Sequence, residues 1–141
     1  MTWSADHRSA SIGALVRATR LGGVHHPTVL GAAAAVSRED FVLPASVPWA
    51  HIDAPQRIPC GQMTSQPSLV AWMLEALQLS WPKTVLEGGT GLGYEAALLG
   101  WLALQVWTVE LFPELAAMAR SNLARSGTGT GNLTNSPGGP G

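Results

Sequence analysis

The feature that most constrains this chain is a change of apolar period on either side of a glycine run. Residues 83–87 (KTVLE) predict a short strand, residues 88–93 a glycine-rich turn, and residues 94–104 a helix. Residues 105–110 (QVWTVE) predict a second strand, and residues 113–125 (PELAAMARSNLAR) a second helix closed by Gly127. Strand, turn, helix, strand, helix is a βαβα unit, which belongs to an α/β fold with a parallel sheet and right-handed crossovers.

The turn itself suggests chemistry. Residues 87–94 (EGGTGLGY) follow a strand and open a helix. Glycines at such a place let the backbone turn sharply and let a ligand approach main-chain atoms without a Cβ in the way. Glu110 ends the second strand, where an acidic side chain in a nucleotide-binding βαβ unit accepts hydrogen bonds from ribose hydroxyls. The bland alternative is a tight turn and a strand cap, and the combination of strand, helix, glycine spacing and distal acid weighs against it. Residues 91–96 (GLGYEA) also fit the looser G-x-G-x-x-A form of dinucleotide enzymes. Glu87 tips the choice: a carboxylate there repels a pyrophosphate and favours a sulfonium or ammonium group. S-adenosylmethionine is therefore expected ahead of NAD.

Upstream, residues 12–21 predict an amphipathic helix with Ile12, Leu15 and Val16 on one face, ended by Gly22 and Gly23. Pro27 opens a second helical stretch over 28–36 with Val29, Leu30, Ala33 and Val36 apolar. Residues 37–62 contain Pro44, Pro48, Pro55 and Pro59 and read as irregular extended chain, long enough to suggest a functional loop. Residues 65–79 predict a helix with Ser65 or Gln66 as N-cap, Pro67 in its first turn, and a buried stripe of Leu69, Trp72, Met73, Ala76 and Leu77. Trp72, Trp101 and Trp107 stand at core-like positions. Residues 127–141 are almost entirely Gly, Thr, Asn, Ser and Pro and predict a disordered tail. The expected organisation is thus a helical and extended substrate-side region over 1–65, a cofactor-binding βαβα unit over 66–127, and a tail over 128–141.

With 46% hydrophobic and 12% charged residues, the 141-residue chain reads as one globular domain. Its formal net charge of -1 gives no electrostatic reason to expect nucleic acid or an anionic membrane as partner. No stretch is apolar enough to span a bilayer and no signal peptide is visible, so a cytoplasmic protein is expected, monomeric rather than oligomeric. Cys60 is the single cysteine, read as a small filler in a reducing compartment. His25, His26 and His51 have no ligand spacing, so no metal is expected.

Two motifs at matching spacing carry a resemblance. Residues 61–67 (GQMTSQP) and 85–97 (VLEGGTGLGYEAA) resemble the GQTISQP and VLEIGTGSGYQAA patterns of the protein-L-isoaspartate O-methyltransferases. Residues 36–42 (VSREDFV) and 109–115 (VELFPEL) resemble that family's V-P-R-E-x-F-V and I-E-x-x-P-E-L. The resemblance implies the S-adenosylmethionine-dependent methyltransferase (Rossmann-like) fold, with N-terminal helices and here an incomplete parallel sheet. It implies an enzyme that methylates the free carboxylate of L-isoaspartyl residues in damaged proteins, the first step of their repair. Ser65 matches the serine implicated in handling the acceptor carboxylate. Gln62, Met63 and Thr64 would cover the cofactor, Gly89, Gly91 and Gly93 would pass its methionine end, and Glu87, Thr90 and Tyr94 would also bind it. Glu110 would bind the ribose. The family domain continues through a further strand, a Gly-Asp-Gly loop and more strands. Residues 132–141 (NLTNSPGGPG) stand where these should be, so the chain is expected to stop before the fold is complete and its activity alone is in question.

Overall fold

The structure is a computed structural model and describes residues 5–127 and 134–136. Two helices come first, α1 (Ala5–Leu21) and α2 (Pro27–Ala35), followed by 3-10 turns at Arg38–Phe41 and Pro44–Trp49. Then come α3 (Pro67–Ala76), β1 (Thr84–Gly88), α4 (Tyr94–Leu102), β2 (Gln105–Val109), α5 (Pro113–Ser126) and β3 (Thr134–Ser136). The sheet is parallel in the order β1-β2-β3, with Val85 opposite Val106 and Glu87 opposite Thr108. The α/β class and the βαβα unit are as the apolar periods predict.

The helices share one core with one face of the sheet, α4 packing on β2 and on α2, and α1 on α2 and α3. Val106 is buried with Val29 and Leu30 of α2, Val70 and Leu74 of α3, Leu98 and Leu99 of α4, and Leu123 of α5. Phe41 and Val36 join them, and Val16 of α1 packs at the margin. Each fully buried Leu or Phe side chain here contributes about 1.5–3 kcal/mol of transfer free energy. Side chains alternate along a strand, so Leu86 and Trp107 point the other way and are 71% and 42% exposed.

Several local expectations are corrected. On α3 the buried residues are Pro67, Val70, Ala71 and Leu74, while Leu69, Trp72 and Leu77 are exposed. The stretch is apolar on nearly every side, so its period could not set the phase of the buried stripe, and packing against α1 and α2 did. Trp101 and Trp107 are likewise exposed, not core. The α3 N-cap is Gln66, but neither its side chain nor that of Ser65 caps the helix; Asp53 Oδ1 accepts from Ser68 N at 2.8 Å instead. Residues 37–62 are not extended. They hold the two 3-10 turns and then fold back, with Ile58 N donating to Gln62 O and Thr64 N to Gln56 O. Cys60 (φ 62°) and Gly61 (φ 66°) make the left-handed tip of this arch, and Cys60 is exposed, not a filler. Within the expected tail, residues 134–136 pair in parallel with β2. Backbone amides and carbonyls of an edge strand accept a partner through main-chain bonds, so strand hydrophobics are not needed for a pairing this short. The other residues of that expected tail beyond Gly127 lie outside the described residues.

Candidate functional site

β1 runs into the glycine turn at Gly88, and α4 starts at Tyr94 on its far side. Gly89, Gly91 and Gly93 all adopt left-handed backbone (φ 90°, 56° and 100°), which L side chains rarely take. Gly93 also packs tightly: a Cβ there would lie 3.2 Å from Leu123 Cγ. At Gly89 a Cβ would meet nothing within 4 Å, so the backbone there faces open space.

The amides of the turn are largely spent on the protein itself. Gly89 N and Thr90 N donate to Val109 O at 2.8 and 3.3 Å, and Gly93 N donates to Thr90 O at 3.0 Å. Gly91 N donates to Glu110 Oε2 at 2.8 Å. A phosphate-binding loop needs such amides free and pointing at the anion. This one offers a shaped backbone rather than an anion nest.

Beside the turn lies a small cleft, partly open to solvent. Met63, Thr64 and Ser65 line one side, and Glu87, Gly89, Thr90, Gly91, Tyr94 and Glu95 the other, with Phe41, Ile58, Val70 and Leu92 between. No Lys, Arg or His is among these residues. Its charged groups are carboxyls. Glu87 is buried, and Thr108 Oγ1 donates to its Oε2 at 2.5 Å; that hydroxyl also hydrogen-bonds Thr90 Oγ1. Burial pushes Glu87 up to about 8, against the Thr108 hydrogen bond and with help from the charges of Glu95 and Glu110. Burial raises Glu95 as well. Tyr94 is pushed up to about 12 by burial, with the Arg38 charge opposing.

Eight of the sequence-derived candidates therefore meet in one cleft: Met63, Thr64, Ser65, Glu87, Gly89, Thr90, Gly91 and Tyr94. Three do not line it. Gln62 is exposed and donates to Cys60 O, and Gly93 is the N-cap of α4 against Leu123. Glu110 spends Oε2 on Gly91 N and Oε1 on Phe112 N, bracing the turn from behind.

Sequence reasoning missed three residues that shape the site. Glu95 lines the cleft one residue into α4. Asp53 caps α3 and also accepts from Gln66 Nε2 at 3.1 Å. Burial raises the Asp53 carboxyl, but the Ser68 and Gln66 hydrogen bonds and the Arg38 charge together hold it below its ordinary value. Arg38 is buried and bonds to the chain between residues 50 and 65. Spacing marks neither Asp53 nor Arg38, because their partners are distant in sequence; only the R of the VSREDF segment offered a hint.

Comparison with known proteins now settles the lineage. Residues 10–139 match the family Protein-L-isoaspartate(D-aspartate) O-methyltransferase. The chain belongs to this family. It is 51% identical over 108 residues to the protein-L-isoaspartate O-methyltransferase of Koribacter versatilis (strain Ellin345), covering 77% of this chain and 49% of that one. The corresponding Anaeromyxobacter dehalogenans (strain 2CP-C) protein is 50% identical over 101 residues, covering 72% and 48%. The chain thus spans about half the length of the curated relatives it matches. A solved protein-L-isoaspartate O-methyltransferase superposes with TM-score 0.75 at 26% identity, over 90% of this chain and 42% of the other. A Plasmodium falciparum protein described as a member of the same enzyme class, solved with S-adenosyl-L-homocysteine, superposes with TM-score 0.67 over 80% of this chain and 55% of its own. At 22% identity it bears on the fold alone. The S-adenosylmethionine-dependent, Rossmann-like fold class is thereby shown. Among the described residues no helix is long and apolar enough to cross a membrane, and no group of His, Cys, Asp and Glu is arranged to hold a metal.

Proposed function

We propose that this chain carries the cofactor-binding and acceptor-facing part of an S-adenosylmethionine-dependent protein-L-isoaspartate O-methyltransferase. It acts on the free carboxylate of L-isoaspartyl residues in damaged proteins. The observation that supports this best is the cleft, where Met63, Thr64 and Ser65 stand against the glycine turn and Glu87, with carboxyls as its charged groups.

The residues present fit the cofactor. A cleft with its turn amides spent and no cation in its lining gives a pyrophosphate nothing to bind, and carboxyls that can ionise against a cation suit a sulfonium or ammonium ligand, which supports S-adenosylmethionine over NAD. Glu87, Gly89, Thr90, Gly91 and Tyr94 would hold the amino-acid end, with Met63 and Thr64 over it. Gln62 and Gly93 would act from outside the cleft wall, and Glu110 would reach a ribose by giving up a backbone amide. When bound, S-adenosylmethionine supplies an activated methyl group. A carboxylate is already nucleophilic, so the chain's own residues have to orient it and exclude water rather than remove a proton. Ser65, on the rim of the cleft and ahead of α3, would orient a carboxylate oxygen by hydrogen bond. Residues 1–65 would form the substrate side and 66–127 the cofactor side. The balanced net charge and single cysteine support a cytoplasmic protein with protein substrates and no nucleic-acid partner.

A second reading is a cofactor-binding unit without turnover. It is favoured by the outer face of the sheet at Leu86 and Trp107, which is bare among the described residues.

Thermal melts decide the first point. S-adenosylhomocysteine should raise the melting temperature and NAD should not, because a ligand that binds only the native state stabilises it. A shift with NAD alone overturns the cofactor assignment. Isoaspartyl and aspartyl peptides then separate the enzyme readings: methylation of the isoaspartyl peptide alone supports repair, equal methylation supports a general peptide-carboxylate enzyme, and binding without methylation supports the second reading. Binding of a cationic ligand should also release a proton from Glu87 near pH 7, read as a buffer-dependent heat in calorimetry.

A further inference from the structure

Arg38 lies in the first 3-10 turn, 1% exposed, and its guanidinium reaches five acceptors. Nη1 donates to Ala50 O at 3.1 Å and to Ile52 O at 3.0 Å. Nη2 donates to Ala54 O at 3.1 Å, Thr64 Oγ1 at 2.8 Å and Ser65 O at 3.4 Å. The same group sits 5.9 Å from the ring centroid of Tyr94, the first residue of α4 and part of the cleft wall. One planar cation thus joins the proline-rich loop, the Thr64–Ser65 side of the cleft, and the glycine-turn side. Lysine cannot replace it, since a point charge with three donors does not span acceptors spread along such a stretch.

The consequence falls on Thr64. Its Oγ1 accepts from Arg38 Nη2 at 2.8 Å and from Gln56 N at 2.9 Å. A hydroxyl oxygen has two lone pairs, and both are taken. Only the hydroxyl proton is left, and it finds no acceptor among the described residues although Thr64 lines the cleft. A charge-assisted bond from a guanidinium also polarises the hydroxyl it meets and strengthens it as a donor. We propose that Arg38 is a positioning residue that makes Thr64 a donor-only hydroxyl in the cleft, matched beside Ser65 to a carboxylate oxygen of the ligand. The inference rests on the methyltransferase reading above, under which that carboxylate has two sources: the amino-acid end of the cofactor or the isoaspartyl peptide.

Calorimetry on the full chain with S-adenosylhomocysteine, and with an isoaspartyl peptide in its presence, separates the sources. Thr64→Val keeps the shape and removes the donor, and should weaken one of the two ligands about tenfold while leaving the other within about twofold. Loss confined to the peptide assigns Thr64 to the acceptor, and loss confined to S-adenosylhomocysteine assigns it to the cofactor. Thr64→Ser should bind as the parent does. Arg38→Lys should reproduce the Thr64→Val loss for the same ligand, and should speed tryptic cleavage after the exposed Arg57 about tenfold as the loop loosens. Equal affinities for parent and Thr64→Val overturn the Thr64 assignment with the methyltransferase reading intact. A parent that binds neither ligand overturns that reading and the Thr64 assignment with it. Unchanged cleavage in Arg38→Lys overturns the positioning role whatever the ligands do.

Discussion

The two faces of the small sheet are made by alternate residues of the same strands, yet they meet opposite surroundings. Inward, Val106 and Thr108 are fully buried, and Glu87 lies beside them, buried at the wall of the cleft. Outward, Leu86 and Trp107 sit side by side across the β1–β2 ladder with no helix over them among the described residues. Apolar residues on both faces are the habit of parallel strands meant to be covered on both sides. The inner face shows what covering does: it turns a carboxylate into a group that holds its proton near neutral pH. The outer face shows the same kind of strand with no such layer among the described residues.

The strongest way to break the comparison is a charge on each face. Val106→Asp should cost about 3–5 kcal/mol, because it buries an unpaired carboxylate. Leu86→Asp should stay within about 0.5 kcal/mol of the parent in the same urea titration, since its position is solvated. Similar losses for both would mean the outer face is covered after all.

Next in size is pH. The folded value of Glu87, about 8, lies above its ordinary 4.5. Between those values the folded chain therefore binds a proton that the unfolded chain has released, and its contribution to stability, full below the lower value, is lost as pH rises through the upper one. Glu87→Gln should flatten this decline and exceed the parent by roughly 4 kcal/mol at about pH 8.5, with the two converging near the lower value. Leu86→Gln, one residue away on the outer face, should leave the pH dependence unchanged. Thermal melts across pH read both.

The smallest effect contrasts two glycines of the turn. Gly93→Ala combines left-handed strain with contact on Leu123 and should cost about 2–3 kcal/mol. Gly89→Ala meets open space and should cost only about 1–2 kcal/mol of strain, while weakening S-adenosylhomocysteine protection against heat more than Gly93→Ala does. The opposite order of ligand effects would move the ligand away from Gly89.

Much of this was legible beforehand. The βαβα unit was, because its strands, glycine turn and helices each carry a local signal: Pro113 at a helix start, Gly127 at its left-handed end, and Gly89, Gly91 and Gly93 where positive φ is required. The gathering of Met63, Thr64 and Ser65 against the turn was implied by the family resemblance that their motif carries. The phase of α3 was not, because Leu69, Val70, Ala71, Trp72, Met73 and Leu74 are all apolar and a uniformly apolar helix has no preferred face until neighbours choose one. Trp101 misled for the same reason on the equally apolar α4, whereas Trp107 is exposed because alternate strand residues face away from the helices.

What the sequence determined by itself is therefore local: where the chain turns, which segments alternate with which period, and which glycines have no substitute. Only the tertiary structure decided that Arg38 would be buried under the carbonyls of residues 50, 52 and 54, that Asp53 would cap a helix beginning at Pro67, and that Glu87 would sit inward while Leu86 sits outward. The physical reason is common to all three. Desolvation and hydrogen bonding act between groups close in space, and a carboxyl or guanidinium acquires its function from partners that only folding brings within reach.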